Sequence, residues 1–188
     1  MKQNIYIVLD VSGSMFGEPM ESMKNGVDDL LSALCRSSGI DMDNTFVSVI
    51  TFSTTARIVV AKASLQGFVR PEIKAGGCTN CAKMMDLLLE AVDAEAEKEP
   101  ESIKSSMVFF FMDGYPTDAS KSIEKSIEAF HAREWGAYAS FAIAGGAEKH
   151  FLARLTSPRR VFDLTINPDF QAAIAPLPSR QKGAVQDV

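Results

Sequence analysis

The chain has 188 residues, the size of one large domain and long enough to bury a core without disulfides or a structural metal. A hydrophobic fraction of 46% and a charged fraction of 23% are ordinary for a globular protein. The net charge of −5, with no run of Lys or Arg, argues against nucleic acid or an anionic membrane as the main partner, because both require a basic face.

No stretch reaches the roughly 18 apolar residues of a membrane span, and the first apolar run is too short for a secretion signal. The three cysteines, Cys35, Cys78 and Cys81, are an odd number that fits a reducing compartment better than a disulfide framework. A cytoplasmic location is the expectation.

Ile5-Tyr6-Ile7-Val8-Leu9 opens the chain as a continuous apolar run, the pattern of a strand in the middle of a parallel sheet covered on both faces. It ends in the polar stretch Asp10-Val11-Ser12-Gly13-Ser14. A helix begins near Glu18-Pro19, with Met20, Met23, Val27, Leu30, Leu31 and Leu34 at helical spacing. The next strand is expected over 46–52, followed by a short strand over 56–60 in a hairpin. After the loop Gly76-Gly77-Cys78-Thr79, a helix is expected from about 80 to 97, ended by Pro100. Residues 107–112 form a second fully apolar strand, again terminating in an aspartate, Asp113.

Asp118 is a candidate N-cap for a helix carrying Ile123, Ile127 and Phe130. A strand over 137–143, a Gly145-Gly146 turn, a short helix over 148–155, a short strand over 161–164 and a short helix over 168–175 complete the pattern. Trp135 and the methionines read as core. The Pro-, Ser-, Gln- and Gly-containing tail from Pro176 is expected to be disordered, leaving one domain over 1–175. Strands alternating with helices predict a doubly wound, mostly parallel α/β sheet with one short antiparallel edge strand and helices on both faces.

Two strands that end in aspartate carry the chemistry. In an open α/β sheet, ligands bind beyond the carboxyl ends of the strands, where the strand order reverses. Two carboxylates brought together there repel, and one is driven to protonate unless a cation neutralises them. The nearby hydroxyls of Ser12, Ser14 and Thr79 are neutral oxygen donors. Two acids and three alcohols make an all-oxygen set suited to a hard cation such as Mg²⁺, with Mn²⁺ or Ca²⁺ also accommodated.

The run Asp10-Val11-Ser12-Gly13-Ser14 resembles the Asp-x-Ser-x-Ser motif of the metal-ion-dependent adhesion site (MIDAS) in von Willebrand factor A domains. Thr79, after Gly76-Gly77, resembles that site's threonine, and Asp113, before Gly114, its distal aspartate. Two positions depart from the family pattern: Cys78 stands where a second glycine commonly precedes the threonine, and Met112 where a threonine often precedes the aspartate. The resemblance implies a Rossmann-like fold, a metal held by Asp10, Ser12, Ser14, Thr79 and Asp113, and a binding rather than catalytic role. A carboxylate from a partner protein would complete the metal's shell. The segments Gly17-Glu18-Pro19-Met20, Val49-Ile50-Thr51-Phe52 and the run from Phe110 to Asp118 are similar to bacterial stand-alone A-domain proteins of the tellurite-resistance TerY type. That implies a scaffold in a stress-response system, with a kinase or phosphatase of the same system as partner.

Other chemistries are less well supplied. A phosphate-ester hydrolase of the aspartyl-nucleophile kind needs a second aspartate where Ser12 stands. The sequence lacks the Gly-x-Ser-x-Gly spacing of a serine hydrolase. Cys78-x-x-Cys81 has the spacing of a redox pair or half a zinc site, but only Cys35, His131 and His150 remain as further zinc ligands.

Overall fold

The computed structural model describes residues 2–118, 120–143 and 149–177. Six strands form one sheet in the order β3-β2-β1-β4-β5-β6: β1 Gln3–Asp10, β2 Thr45–Phe52, β3 Ala56–Ser64, β4 Met107–Met112, β5 Ala137–Ala142 and β6 Val161–Asp163. All neighbours are parallel except β2 and β3, which pair antiparallel at one edge. The helices are α1 Glu18–Arg36, α2 Cys81–Ala96, α3 Ser102–Ser105, α4 Ser120–His131, α5 Lys149–Leu155 and α6 Phe170–Ile174.

The apolar runs of β1 and β4 explain why these two strands sit at the centre. Alternate residues point to opposite faces, and both faces are covered. Ile5, Ile7, Leu9, Phe109 and Phe111 pack with α1 and α6. Tyr6, Val8, Val108, Phe110 and Met112 pack with α2, α4 and α5. α1, which follows β1, therefore lies on one face, and α4, which follows β4, lies on the other. Neighbouring strands whose chains leave to opposite faces define the point where strand order reverses. The register pairs Leu9 with Phe111, so Asp10 and Asp113 emerge side by side at that point.

The edge strand β3 is longer than the expected 56–60. Its residues are mostly exposed, so it lacks the apolar alternation that would have marked its far half. It also carries register shifts against β2. α3 was not expected, and a four-residue helix leaves no periodicity to read. The Gly145-Gly146 turn and the start of the helix expected from 148 lie outside the described residues, as does the tail from 178 onward. Leu177, within the expected disordered tail, is placed: its amide donates to the Gly136 carbonyl at 2.9 Å, and its side chain packs on the core shared by α2, α4 and α5.

Gly136 enters β5 where backbone crowds it. A Cβ there would come within 2.8 Å of the Lys104 carbonyl oxygen and 3.1 Å of that of Ser106. Backbone cannot swing aside as a side-chain end can. Gly136→Ala is expected to destabilise the fold by about 1–3 kcal/mol, read as a lowered midpoint in thermal or urea unfolding; an unchanged midpoint would contradict this packing.

Candidate metal centre

Asp10 is fully buried at the tip of β1, and Asp113 lies just beyond β4 with 7% exposure. The chain after Asp10 folds back at once. The Ser12 amide donates to Asp10 Oδ1 at 2.8 Å, and a 3-10 turn over Gly13–Met15 brings Ser14 beside Ser12, their hydroxyls 3.0 Å apart. Ser14 Oγ then donates to Asp113 Oδ2. One hydrogen-bonded chain thus runs from Asp10 through Ser12 and Ser14 to Asp113, four of the five residues singled out from sequence. Asp113 Oδ1 accepts from the Tyr115 amide at 3.1 Å.

The fifth residue, Thr79, is brought to the same place by backbone. The Gly13 amide donates to the Gly77 carbonyl at 2.9 Å, and the Gly76 amide to the Val11 carbonyl at 2.8 Å. The β2–β3 turn holds the other side of this loop: Thr54 Oγ1 accepts from the Cys78 amide at 3.0 Å, and the Ser53 carbonyl from the Asn80 amide at 2.8 Å. Gly77 is at φ +88°, and a Cβ there would lie 2.7 Å from Thr54 Oγ1. A glycine is required for both reasons. Thr79 itself is buried.

A second clasp was not anticipated from sequence. The Thr79 amide donates to Thr117 Oγ1 at 3.2 Å, and the Thr79 carbonyl accepts from the Thr117 amide at 2.8 Å and from its hydroxyl at 3.0 Å. Asp118, expected to cap the helix that follows it, accepts from the Cys81 and Ala82 amides at 3.1 and 2.6 Å, while residue 119, between Asp118 and that helix, lies outside the described residues. Asn80 accepts from the Lys83 amide at 3.0 Å. Three otherwise unpaired amides of the first turn of α2 are thus met by Asp118 and Asn80. A carboxylate gains both charge-assisted hydrogen bonds and the positive end of the α2 dipole at this site. The loops bearing Thr79 and Asp113 are thereby locked together.

The electrostatics of the site are unbalanced. Burial pushes Asp10 up from 3.8 to about 6; the hydrogen bonds from Ser12 act the other way, and the negative charge of Asp113 adds to the rise. Asp10 Oδ2 is buried without a hydrogen-bond partner, an arrangement that costs free energy unless something else meets it. Among the described residues no group of three or more His, Cys, Asp and Glu is placed to hold a metal. A cation here would rely on two carboxylates together with hydroxyls, and the orphaned Asp10 oxygen is an acceptor suited to one.

The Cys78-x-x-Cys81 pair is split by its surroundings. Cys78 is exposed and Cys81 buried. Burial, reinforced by the charges of Asp118, Asp10 and Asp113, pushes the Cys81 thiol well above its ordinary value. A reactive cysteine needs the reverse. His131 ends α4, at the opposite end of the sheet from the aspartates, where its Nε2 lies 3.1 Å from the Arg154 carbonyl oxygen. Trp135 is core, as expected, with its indole N–H donating to the Phe130 carbonyl at 2.8 Å.

A mostly parallel sheet with this strand order and a loop-built oxygen cluster at its reversal point is the architecture of a von Willebrand factor A domain. Residues 4–176 match the model of the von Willebrand factor type A domain, and the chain belongs to that family. Human inter-alpha-trypsin inhibitor heavy chain H6 is 26% identical over 93% of this chain; the match spans only 14% of that much longer protein. The fold is shared with the manganese-loaded TRAP protein of Plasmodium vivax, at TM-score 0.66 and 16% identity over 92% of this chain and 70% of that one. It is shared too with proximal thread matrix protein 1 of the mussel byssus in a form with a zinc-occupied MIDAS motif, at TM-score 0.59 and 22% identity over 86% and 41% of the two chains. The SpRpn10 VWA domain aligns at TM-score 0.61 and 9% identity over 93% and 94%.

The raised Asp10 carboxyl gives a pH signature in chelator. The metal-free fold favours the protonated acid, so this group's contribution to stability is complete below about pH 4 and is lost as the pH rises through about 6. Asp10→Asn is therefore expected to stabilise the metal-free protein at pH 8, by at most about 3 kcal/mol at about 1.4 kcal/mol per pH unit of displacement. The gain should fade by pH 4. Urea unfolding in EDTA at the two pH values measures it, and an Asn variant no more stable than wild type at pH 8 would contradict a strained, charged Asp10.

Proposed function

We propose that this chain is a metal-dependent protein-interaction module that captures a carboxylate of a partner protein. The observation that carries the reading is the buried, unpartnered Asp10 Oδ2 in a cluster whose other members are Asp113 and hydroxyls. Asp10, Ser12, Ser14, Thr79 and Asp113 would hold the ion, directly or through water. A dication bound there supplies positive charge and a coordination position for an external oxygen ligand. Two carboxylates neutralise a dication's charge without filling its coordination shell, so an open position is what would take one more acid from outside. Mg²⁺ is the ion favoured by an all-oxygen set, with Mn²⁺ and Ca²⁺ as alternatives. The manganese-loaded TRAP protein and the zinc-occupied MIDAS motif of the byssus protein support a divalent ion here.

Binding fits the residues better than catalysis. The site offers no histidine, and Ser12 stands where a phosphate-ester hydrolase would need its second aspartate. The buried Cys81 thiol speaks against a redox pair. No helix among the described residues is long and apolar enough to cross a membrane. The likeness to TerY-type proteins supports a cytoplasmic role as a scaffold in a bacterial tellurite or stress response, with a kinase or phosphatase of that system as partner.

Mg²⁺ at 100 times its Kd is expected to stabilise the protein by about 2.7 kcal/mol, a rise in Tm on the order of 5–10 °C for a domain of this size. Asp10→Ala and Asp113→Ala should each abolish that rise and the calorimetric signal of Mg²⁺ binding while the circular dichroism stays native. Unchanged Mg²⁺ affinity in both variants would contradict the assignment. Turnover of a generic phosphate ester by the loaded protein, lost in Asp10→Asn, would favour the hydrolase instead.

A further inference from the structure

Ser14 and the loop residues 76–78 are exposed while Asp10, Ser12, Thr79 and Asp113 are buried, so the cluster opens to solvent on one side. Two exposed aromatic residues lie on the loops that carry Ser14 and Asp113. Phe16 is 82% exposed and Tyr115 52% exposed, and among the described residues they are the exposed aromatics; the other large exposed hydrophobics, Ile58, Val59, Val69 and Ile166, are aliphatic and belong to other segments. Both aromatics are fixed to the cluster by main chain. The Phe16 amide closes the 3-10 turn on the Gly13 carbonyl at 3.2 Å, two residues beyond Ser14. The Tyr115 amide donates to Asp113 Oδ1, two residues beyond that aspartate. Since Ser14 and Asp113 are hydrogen-bonded to each other, the two exposed aromatics are carried by loops that meet at one cluster. Gly17, at φ +85°, turns the chain into α1 immediately afterwards, which leaves the Phe16 ring outside the core that takes Met15 and Met20.

A solvent-facing phenylalanine gives up burial free energy in the isolated chain, and aromatic residues are the ones that dominate protein interfaces when they are covered. We propose that Phe16 and Tyr115 form an aromatic rim that selects a partner carboxylate flanked by aromatic or bulky apolar side chains. The inference rests on the carboxylate-capture reading above and adds the partner's chemistry: the acid enters the cluster, and its sequence neighbours lie on the two rings. Charge favours this occupant over a wholly polar acidic loop. The chain carries a net charge of −5, so a partner bearing many acids is repelled, while one acid among apolar neighbours is not.

The test uses the full chain in saturating Mg²⁺ and three acetylated, amidated tripeptides: aspartate between two phenylalanines, aspartate between two glycines, and asparagine between two phenylalanines. Binding is followed by amide chemical shifts of residues 12–16, 76–79 and 113–117. The phenylalanine-flanked aspartate is expected to bind at least about fivefold more tightly than the glycine-flanked one, and the asparagine peptide not to bind measurably. Phe16→Ser combined with Tyr115→Ser should bring the two aspartate peptides to equal affinity, with the Mg²⁺-induced rise in Tm unchanged. Equal affinities for the wild type would overturn the rim while leaving carboxylate capture standing. Asparagine binding as well as aspartate, or no peptide shifting these amides in the metal-loaded protein, would remove the underlying reading and the rim with it.

Discussion

Two buried carboxylates at neighbouring strand tips are the constraint around which this molecule is arranged. Asp10 and Asp113 are both buried, and burial alone penalises each charge. The protein does not relieve the strain internally. The Ser12 amide, the Ser14 hydroxyl and the Tyr115 amide meet three of the four carboxylate oxygens, yet Asp10 Oδ2 has no hydrogen-bond partner. Elsewhere in the same chain a carboxylate in need of partners finds them: Asp118 takes two helix amides, and Asp163 binds Lys149 and Thr165. The contrast supports the proposal that the Asp10 oxygen meets a ligand from outside the chain.

The fold serves to hold that arrangement still. β1 and β4 are apolar on both faces, so they are fixed in depth by two separate cores and not by one. Because their following helices leave to opposite faces, the space above the strand tips is not filled by either helix. The loops that do reach it are tied by backbone hydrogen bonds, from Gly13 and Gly76 on one side and from Thr117 on the other. Side chains with such supports lose little further freedom when a ligand arrives, which is how binding free energy is conserved.

Much of this was legible in the residues. The fully apolar runs ending in Asp10 and Asp113 announced central strands with acids at their tips, and the helical spacing of Met20, Met23, Val27, Leu30 and Leu34 announced α1. The serines lie two and four residues from Asp10, so a local turn suffices to gather them. What escaped was long-range or unpatterned. Thr117 and Asp118 bind partners 38 and 37 residues away in sequence, and an aspartate just before a helix satisfies local capping rules equally well. The far half of β3 is exposed and so carries no apolar period. Leu177 reads as tail because its anchor, the Gly136 carbonyl, is remote in the chain.

In the proposed reading, the exposed rings of Phe16 and Tyr115 add an apolar rim to the buried acidic cluster, so that a partner would be read for both an acid and its neighbours. Everything in that picture begins with an ion between the aspartates. Anomalous diffraction from crystals of the full chain grown with Mn²⁺ tests it most directly. One manganese peak is expected among Asp10, Ser12, Ser14, Thr79 and Asp113, with its direct oxygen ligands at about 2.1 Å, the spacing of a small hard dication. Manganese bound only elsewhere, with Asp10 Oδ2 still unmet, would contradict the account.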